Sequence, residues 1–268
     1  MPILNVNGIR LHYQVHGSGD PVVLLMGSGS TAQSWRMHQV PALNAAGFQA
    51  VLVDNRGIPP TDECSSGFTI EDMLGDVIGL IESLGIGPAR IIGTSMGAYL
   101  AQELCLARPG LVRQAVLMAS RARSDAARAA LARGERELAE SGVAVPSGYA
   151  AIVRALQMLS PSSLDDERSI VDWLDLFELG NGATKQGLLA QLKLEPMPDR
   201  RDAYRHIAVP CHVISFADDL ITPPRAGREL AALIPGSSFE LVPEAGHYGY
   251  LESPEMVNKS IIEFFHSS

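Results

Sequence analysis

A serine between two glycines, a pair of adjacent aspartates and seven histidines are the residues through which this chain could activate a nucleophile. A serine hydroxyl is a poor nucleophile near neutral pH, so it needs a general base, and that base needs a carboxylate to orient it. Ser95 lies in Gly93-Thr94-Ser95-Met96-Gly97, after an apolar run from Ala89 and before the helix-forming stretch Ala98 to Ala107. That spacing predicts a sharp strand-to-helix corner that exposes Oγ, with glycines where side chains would collide. His247 is the candidate base, because Pro243-Glu244-Ala245-Gly246-His247-Tyr248 follows the last apolar run, where the C-terminal ends of strands collect ligands. His12, His16, His38, His206, His212 and His266 read instead as strand faces, loops or termini. Asp218 and Asp219, in Phe216 to Pro223, follow the preceding strand, and one of the two orients the imidazole. Asp125 is a further acid, but its setting is that of a helix N-cap or first-turn charge.

Acyl transfer through such a serine builds negative charge on a tetrahedral intermediate, which needs preorganised donors. The backbone amide of Met96, at a helix start, is one; the second is expected from Gly27-Ser28-Gly29, with Ser28 first and Gly27 next. The glycines of this loop fit neither a phosphate-cradling G-x-x-x-x-G-K-[ST] nor G-x-G-x-x-G, so no cofactor site is expected. Cys64, Cys105 and Cys211 are odd in number and far apart, without a C-x-x-C pair, so neither a disulfide framework nor a metal site is expected.

The elements that must position these residues are an alternation of strands and helices. Ile3 to Val6 and Ile9 to Val15 flank Asn7-Gly8, a strong hairpin signal, so the chain opens antiparallel. Pro21 to Met26, Phe48 to Val53, Ala89 to Ile92, Val112 to Met118, His212 to Phe216 and Phe239 to Val242 are short apolar runs of the kind buried on both faces of a parallel sheet. Between them, Ala32 to Ala46 predicts a helix interrupted near Pro41. Thr69 with Asp72 predicts a capping box for a helix that ends at Gly85. Ala226 to Leu233 and Pro254 to Phe265 read as helices. The fold class is therefore α/β: a mostly parallel sheet of about eight strands with an antiparallel N-terminal hairpin, covered by helices on both faces.

From Arg121 the pattern changes, because Ser124 to Ser141 is rich in Ala, Arg and Glu and no strand signal returns before Cys211. Residues 121–205 are expected to be an inserted helical cap between core segments 1–120 and 206–268. Its apolar section includes Trp173 and Phe177, which with Gly27 are the candidates for substrate contact, although packing among the insertion's own helices is the more ordinary reading of such a stripe.

The chain has 268 residues, a formal net charge of −9 and a pI near 5.2. Without a basic surface it is not expected to bind nucleic acid or an anionic membrane. No apolar run approaches the roughly 20 residues of a membrane span and the N-terminus lacks signal-peptide character, so a cytoplasmic protein with a small-molecule substrate is expected.

Taken together, Gly93 to Gly97, Asp54-Asn55-Arg56-Gly57, Asp218 to Pro223, and Gly246-His247 followed by Glu252-Ser253-Pro254-Glu255 make the chain resemble an α/β-hydrolase over nearly its whole length. The resemblance implies that the acid is the aspartate four before the proline, which is Asp219. It departs from many relatives in having Met26-Gly27 where they have His-Gly, and Gly57-Ile58-Pro59-Pro60-Thr61 where they have Gly-x-Gly-x-Ser. Ser95 in place of aspartate separates it from the haloalkane dehalogenases and epoxide hydrolases of this fold. The implied function is a cofactor-independent serine hydrolase that cleaves an ester, lactone or thioester, with an apolar acyl group expected from the composition of the insertion. The same framework serves cyclases, lyases, carbon–carbon bond hydrolases and some non-catalytic ligand-binding proteins.

Overall fold

The computed structural model describes residues 2–180 and 184–267; Met1, Ser268 and residues 181–183 of the expected insertion lie outside them. Eight strands form one sheet: β1 (Ile3–Val6), β2 (Ile9–His16), β3 (Asp20–Leu25), β4 (Phe48–Val53), β5 (Ala89–Thr94), β6 (Val112–Met118), β7 (Cys211–Phe216) and β8 (Ser238–Val242). Their order is β1-β2-β4-β3-β5-β6-β7-β8, antiparallel in the β1/β2 and β2/β4 pairs and parallel in the rest. Val6 pairs with Ile9 across Asn7 and Gly8, whose φ values of 47° and 77° match the right-handed twist of the strands they join.

Adjacent residues of the central strands feed opposite cores. Leu25, Val53, Ile91, Leu117 and Val213 pack on one face of the sheet, and their neighbours Leu24, Leu52, Ile92, Val116 and Ile214 on the other. This two-residue period is why each strand reads as an unbroken apolar run. The first core takes in α2 (Ile70–Leu84), α3 (Met96–Ala107) and α10 (Pro224–Leu233); the second takes in α1 (Gln39–Ala45) and α12 (Pro254–His266). The short α11 (Gly249–Glu252), which has no clear sequence signal, precedes α12.

Local signals account for the helix ends. Thr69 Oγ1 accepts from the Asp72 amide at 3.1 Å while Asp72 accepts from the Thr69 amide at 2.8 Å, completing the capping box, and Gly85 closes α2 at φ 63°. The break expected near Pro41 falls earlier. A 3₁₀ turn at Ala32–Arg36 gives way to α1 at Met37 and His38, and Pro41 sits in the first turn of α1, where its missing N–H costs no helical bond. His12 is not on an open strand face: it is buried, with Nδ1 2.6 Å from Asp54 Oδ2.

Between β6 and β7 come α4 (Ala126–Ser141), α5 (Ser147–Met158), α6 (Pro161–Asp165), α7 (Ser169–Leu179), α8 (Lys185–Leu192) and α9 (Arg201–Tyr204), with no strand among the described residues. This insertion has a small core of its own, formed by Ala151, Ala155, Leu159 and Phe177. Among the described residues no helix is long and apolar enough to cross a membrane.

Candidate active site

Ser95 connects β5 to α3 at φ 54°, ψ −116°, a conformation that L-residues other than glycine rarely adopt. The corner is tight: a Cβ on Gly93 would overlap the Gly97 carbonyl, and one on Gly97 would overlap the Leu25 carbonyl. These contacts explain the glycine at each flank. The Ser95 amide donates to Met118 O at 3.0 Å, which fastens the strained residue to the end of β6.

The acid and the base come from the ends of β7 and β8, on the same edge of the sheet as Ser95. His247 Nδ1 lies 2.8 Å from Asp219 Oδ2, and both side chains are buried. The same oxygen accepts from Thr222 Oγ1 at 2.6 Å, while Oδ1 accepts from the amides of Ile221 and Thr222, each at 2.8 Å. Burial opposes ionisation of Asp219, but the imidazole and the Thr222 bonds outweigh it and hold the carboxyl below its ordinary value. With Nδ1 facing a carboxylate, the ring carries its proton there and leaves Nε2 as an acceptor. Among the described residues the Asp218 side chain makes no such bond; its amide donates to Ala245 O at 2.9 Å. Asp125 is the N-cap of α4, accepting from the Arg128 amide at 2.9 Å. Among the described residues no hydrogen bond joins Ser95 Oγ to His247, a contact that commonly forms fully only in a substrate complex.

Gly27 lies directly under the serine, since a Cβ there would stand 3.3 Å from Ser95 Cβ. Ser28 is exposed, and its Oγ contacts Met96 Sδ at 3.3 Å, so the loop after β3 and the start of α3 face each other. Met96 is the first residue of α3, so its amide has no acceptor within the helix. Three neighbours shape the Gly27 loop: Asn55 Nδ2 donates to Met26 O at 2.9 Å, Asp54 Oδ1 accepts from the Ala32 amide at 2.7 Å, and Gln191 Oε1 accepts from the Gly29 amide at 2.7 Å. Gln191 Nε2 also donates to Arg56 O at 2.8 Å, so one buried amide of α8 bridges two core loops. The Asp54-Asn55-Arg56-Gly57 stretch thereby acts as a scaffold, anchored by Arg56 to Asp76 of α2 at 2.6 Å.

A cavity of about 180 Å³ opens beside Ser95, Ser28 and Met96 and reaches Thr222. From the insertion and its approaches it is lined by Arg121, Arg128, Ala132, Gln191, Leu194 and Met197. Trp173 and Phe177 do not line this cavity. Their rings stack at 5.8 Å and meet the Tyr248 ring at 6.4 and 6.0 Å, in the small core of the insertion. The cavity wall mixes apolar side chains with arginines, hydroxyls and the carboxylate of Glu195. Sequence reasoning missed Arg121, Arg128, Thr222 and Gln191. Arginines in an Ala, Arg and Glu-rich run look like a solvated face, and a lone glutamine carries no spacing signal.

The model of the alpha/beta hydrolase family matches residues 15–259. A Mycobacterium tuberculosis protein provisionally named non-heme bromoperoxidase BpoC is 45% identical over 259 residues, spanning 97% of this chain and 98% of its own. Its crystal structure superposes with a TM-score of 0.92 at 44% identity, covering 96% of both chains. An Azorhizobium caulinodans protein provisionally named carbamate hydrolase RutD is 27% identical over 267 residues, 98% of each chain. The crystal structure of the enol-lactonase from Burkholderia xenovorans superposes with a TM-score of 0.80 at 27% identity, covering 99% of this chain and 100% of the other. With a strand-to-helix serine, a paired aspartate and histidine at neighbouring strand ends, and relatives matched along their whole length, the chain belongs to the alpha/beta hydrolase family and is an enzyme of that family.

Proposed function

We propose that this hydrolase cleaves a small ester, lactone or thioester through an acyl-enzyme on Ser95, with His247 as general base and Asp219 as its orienting carboxylate. The observation that carries the reading is the buried pair of His247 Nδ1 and Asp219 Oδ2 at 2.8 Å, at the strand edge where Ser95 is held in a strained turn. In this mechanism Nε2 of His247 takes the Ser95 proton as Oγ attacks the carbonyl carbon, then returns it to the leaving group. Water, deprotonated by the same nitrogen, splits the acyl-enzyme and releases the acid. The amides of Met96 and Ser28 meet the developing oxyanion, and Gly27 leaves room for the acyl group beside Oγ. Residues 121–205 cap the cavity, a role supported by the lining from Arg128, Ala132, Gln191 and Leu194. The lactone cleaved by the Burkholderia relative and the carbamate in the name of the Azorhizobium relative both suit attack by a serine on a carbonyl carbon.

Intact mass after exposure to a fluorophosphonate tests the nucleophile. One adduct on the wild type and none on Ser95→Ala is expected; equal labelling of both removes Ser95 from the role. Turnover in oxygen-18 water then separates hydrolysis, which places one solvent oxygen in the acid product, from cyclase or lyase chemistry, which need not. The name of the Mycobacterium tuberculosis relative favours a second reading, peroxide-dependent bromination. Hydrogen peroxide replacing water at the acyl-enzyme would release a peracid, and the peracid would oxidise bromide to hypobromous acid and return to the carboxylic acid. Bromination that needs both peroxide and a carboxylic acid, and is lost in Ser95→Ala, would support it.

A further inference from the structure

Arg121 follows β6 and lines the cavity beside Ser95. Its guanidinium is largely withdrawn from water, and Nη1 is buried with no hydrogen-bond partner. No ion pair or hydrogen bond engages this side chain among the described residues. A charge in that position is costly unless something pairs with it, and a guanidinium does not escape the cost by losing its proton. Burial pulls Arg121 below the ordinary guanidinium range, with Asp125 and Asp219 opposing that shift and Arg128 adding to it.

Both nearby carboxylates are already engaged. Asp125 Oδ2 pairs with Arg128 at 3.2 Å and with Arg225 at 3.0 Å. Asp219 is bonded to His247, Thr222 and Ile221. Arg128 lines the same cavity, with Nε buried and unpartnered, while its terminal nitrogens go to Asp125 and to Leu220 O at 2.8 Å. Glu195 also lines the cavity but is exposed to solvent, where its charge is screened, so among the described residues Arg121 is the charged side chain of this wall that is withdrawn from water without a counter-ion, in a protein whose formal net charge is −9. A hollow of about 310 Å³ against the β1–β2 hairpin makes the contrast, since Arg10 and Asp62 there pair with each other at 2.9 Å.

We infer that the substrate carries a carboxylate, which Arg121 binds with support from Arg128 while Ser95 acts on a carbonyl elsewhere in the same molecule. A single unpaired guanidinium suits a monoanion better than a phosphate dianion, and its fork matches the planar carboxylate. This deepens the proposed serine hydrolysis and rests on it for the cleavage step, but not for the binding of the anion.

The test compares esters that differ by one charge, in low-chloride buffer. 4-Nitrophenyl half-esters of succinic, glutaric and adipic acids are set against the neutral butyrate, valerate and hexanoate, and acetyl 4-hydroxybenzoate against its methyl ester, which places the carboxylate on either side of the scissile bond. At least one charged ester should exceed its neutral counterpart in kcat/KM by about tenfold or more, the equivalent of one modest charge pair. That ratio should collapse towards one in Arg121→Gln and recover in part in Arg121→Lys. A ratio near or below one in every pair, or one that survives Arg121→Gln, overturns the inference while ester turnover leaves the hydrolase reading standing. If no ester is turned over and fluorophosphonate labelling also fails, the hydrolase reading falls. The anion site is then decided by calorimetry, with succinate and glutarate binding the wild type but not Arg121→Gln, and succinamide binding neither; no binding of either diacid overturns it. Arg121→Met adds a readout that a structural arginine would not give: its thermal midpoint without ligand should match or exceed the wild type, and added diacid should no longer raise it. A lower midpoint with diacid stabilisation retained counts against the inference.

Discussion

Glu252 and Ser160 tie the histidine loop to the helical insertion. One carboxylate oxygen of Glu252 accepts from the Ser160 amide and hydroxyl, both at 2.8 Å, and from Ser163 Oγ at 2.7 Å; the other accepts from the Gly246 amide at 2.7 Å, next to His247. The Tyr248 amide adds a bond to Met158 O at 3.0 Å, and its hydroxyl accepts from Arg154 at 2.6 Å.

Replacing Glu252 by alanine strands four donors at once. Global stability should fall by about 2–3 kcal/mol, the scale of losing bonds to a charged acceptor, and kcat should fall with it because the His247 loop loses its anchor. Ser160→Ala, which removes one of the four, should cost about 1 kcal/mol. Urea unfolding of the three proteins checks the ranking; equal stability of all three would show that the Glu252 cluster holds nothing.

The adjacent aspartates should separate sharply. Asp219→Asn is expected to lower kcat by about four orders of magnitude, since an amide cannot stabilise an imidazolium, while Asp218→Asn changes it by no more than about threefold. The Asp219 carboxyl sits below its ordinary value, so its contribution to stability is full above the ordinary carboxylate range and is lost as the pH falls through the lowered value. Thermal unfolding of wild type and Asp219→Asn from pH 7 to pH 2 should therefore show a gap that is widest near neutrality and closes in acid.

Gln191 offers a probe of the loop carrying Ser28. Gln191→Leu leaves the Gly29 amide and the Arg56 carbonyl unpaired in a buried setting and should cost about 2 kcal/mol or more. A loosened Ser28 amide should show as a lower kcat with KM little moved, which steady-state kinetics on an activated ester would reveal.

Trp173→Ala and Phe177→Ala should act on the insertion rather than on substrate choice. Each opens a hole in the small core shared with Tyr248, costing up to about 3 kcal/mol. Relative kcat/KM across acyl chain lengths should stay within about twofold of the wild type. A large change in chain-length preference would return these rings to the substrate path.

What the sequence disclosed follows from how local each cause is. The two-residue apolar period, the Asn7-Gly8 turn and the Thr69 capping box act over a few residues, and the strands and helix ends stand where those signals place them. Ser95, Asp219 and His247 could be named because each sits at the end of an element that the pattern already delimits. Gln191 reaches Gly29 across 162 residues, and the isolation of Arg121 is a property of everything around it, so no window of sequence contains either fact. Trp173 and Phe177 are the converse case: an aromatic stripe announces burial but not which neighbours provide it.

The backbone at Ser95 has an evolutionary corollary. A residue at φ 54° with a side chain pays for its place, and glycine would occupy the same turn with less strain, by about 1 kcal/mol. Ser95→Gly should therefore fold at least as stably as the native chain while losing the hydroxyl. Selection for folding alone would drift towards that inert form, so the chain is least self-consistent at the position where it acts, and its robustness to mutation is bounded there by use rather than by architecture.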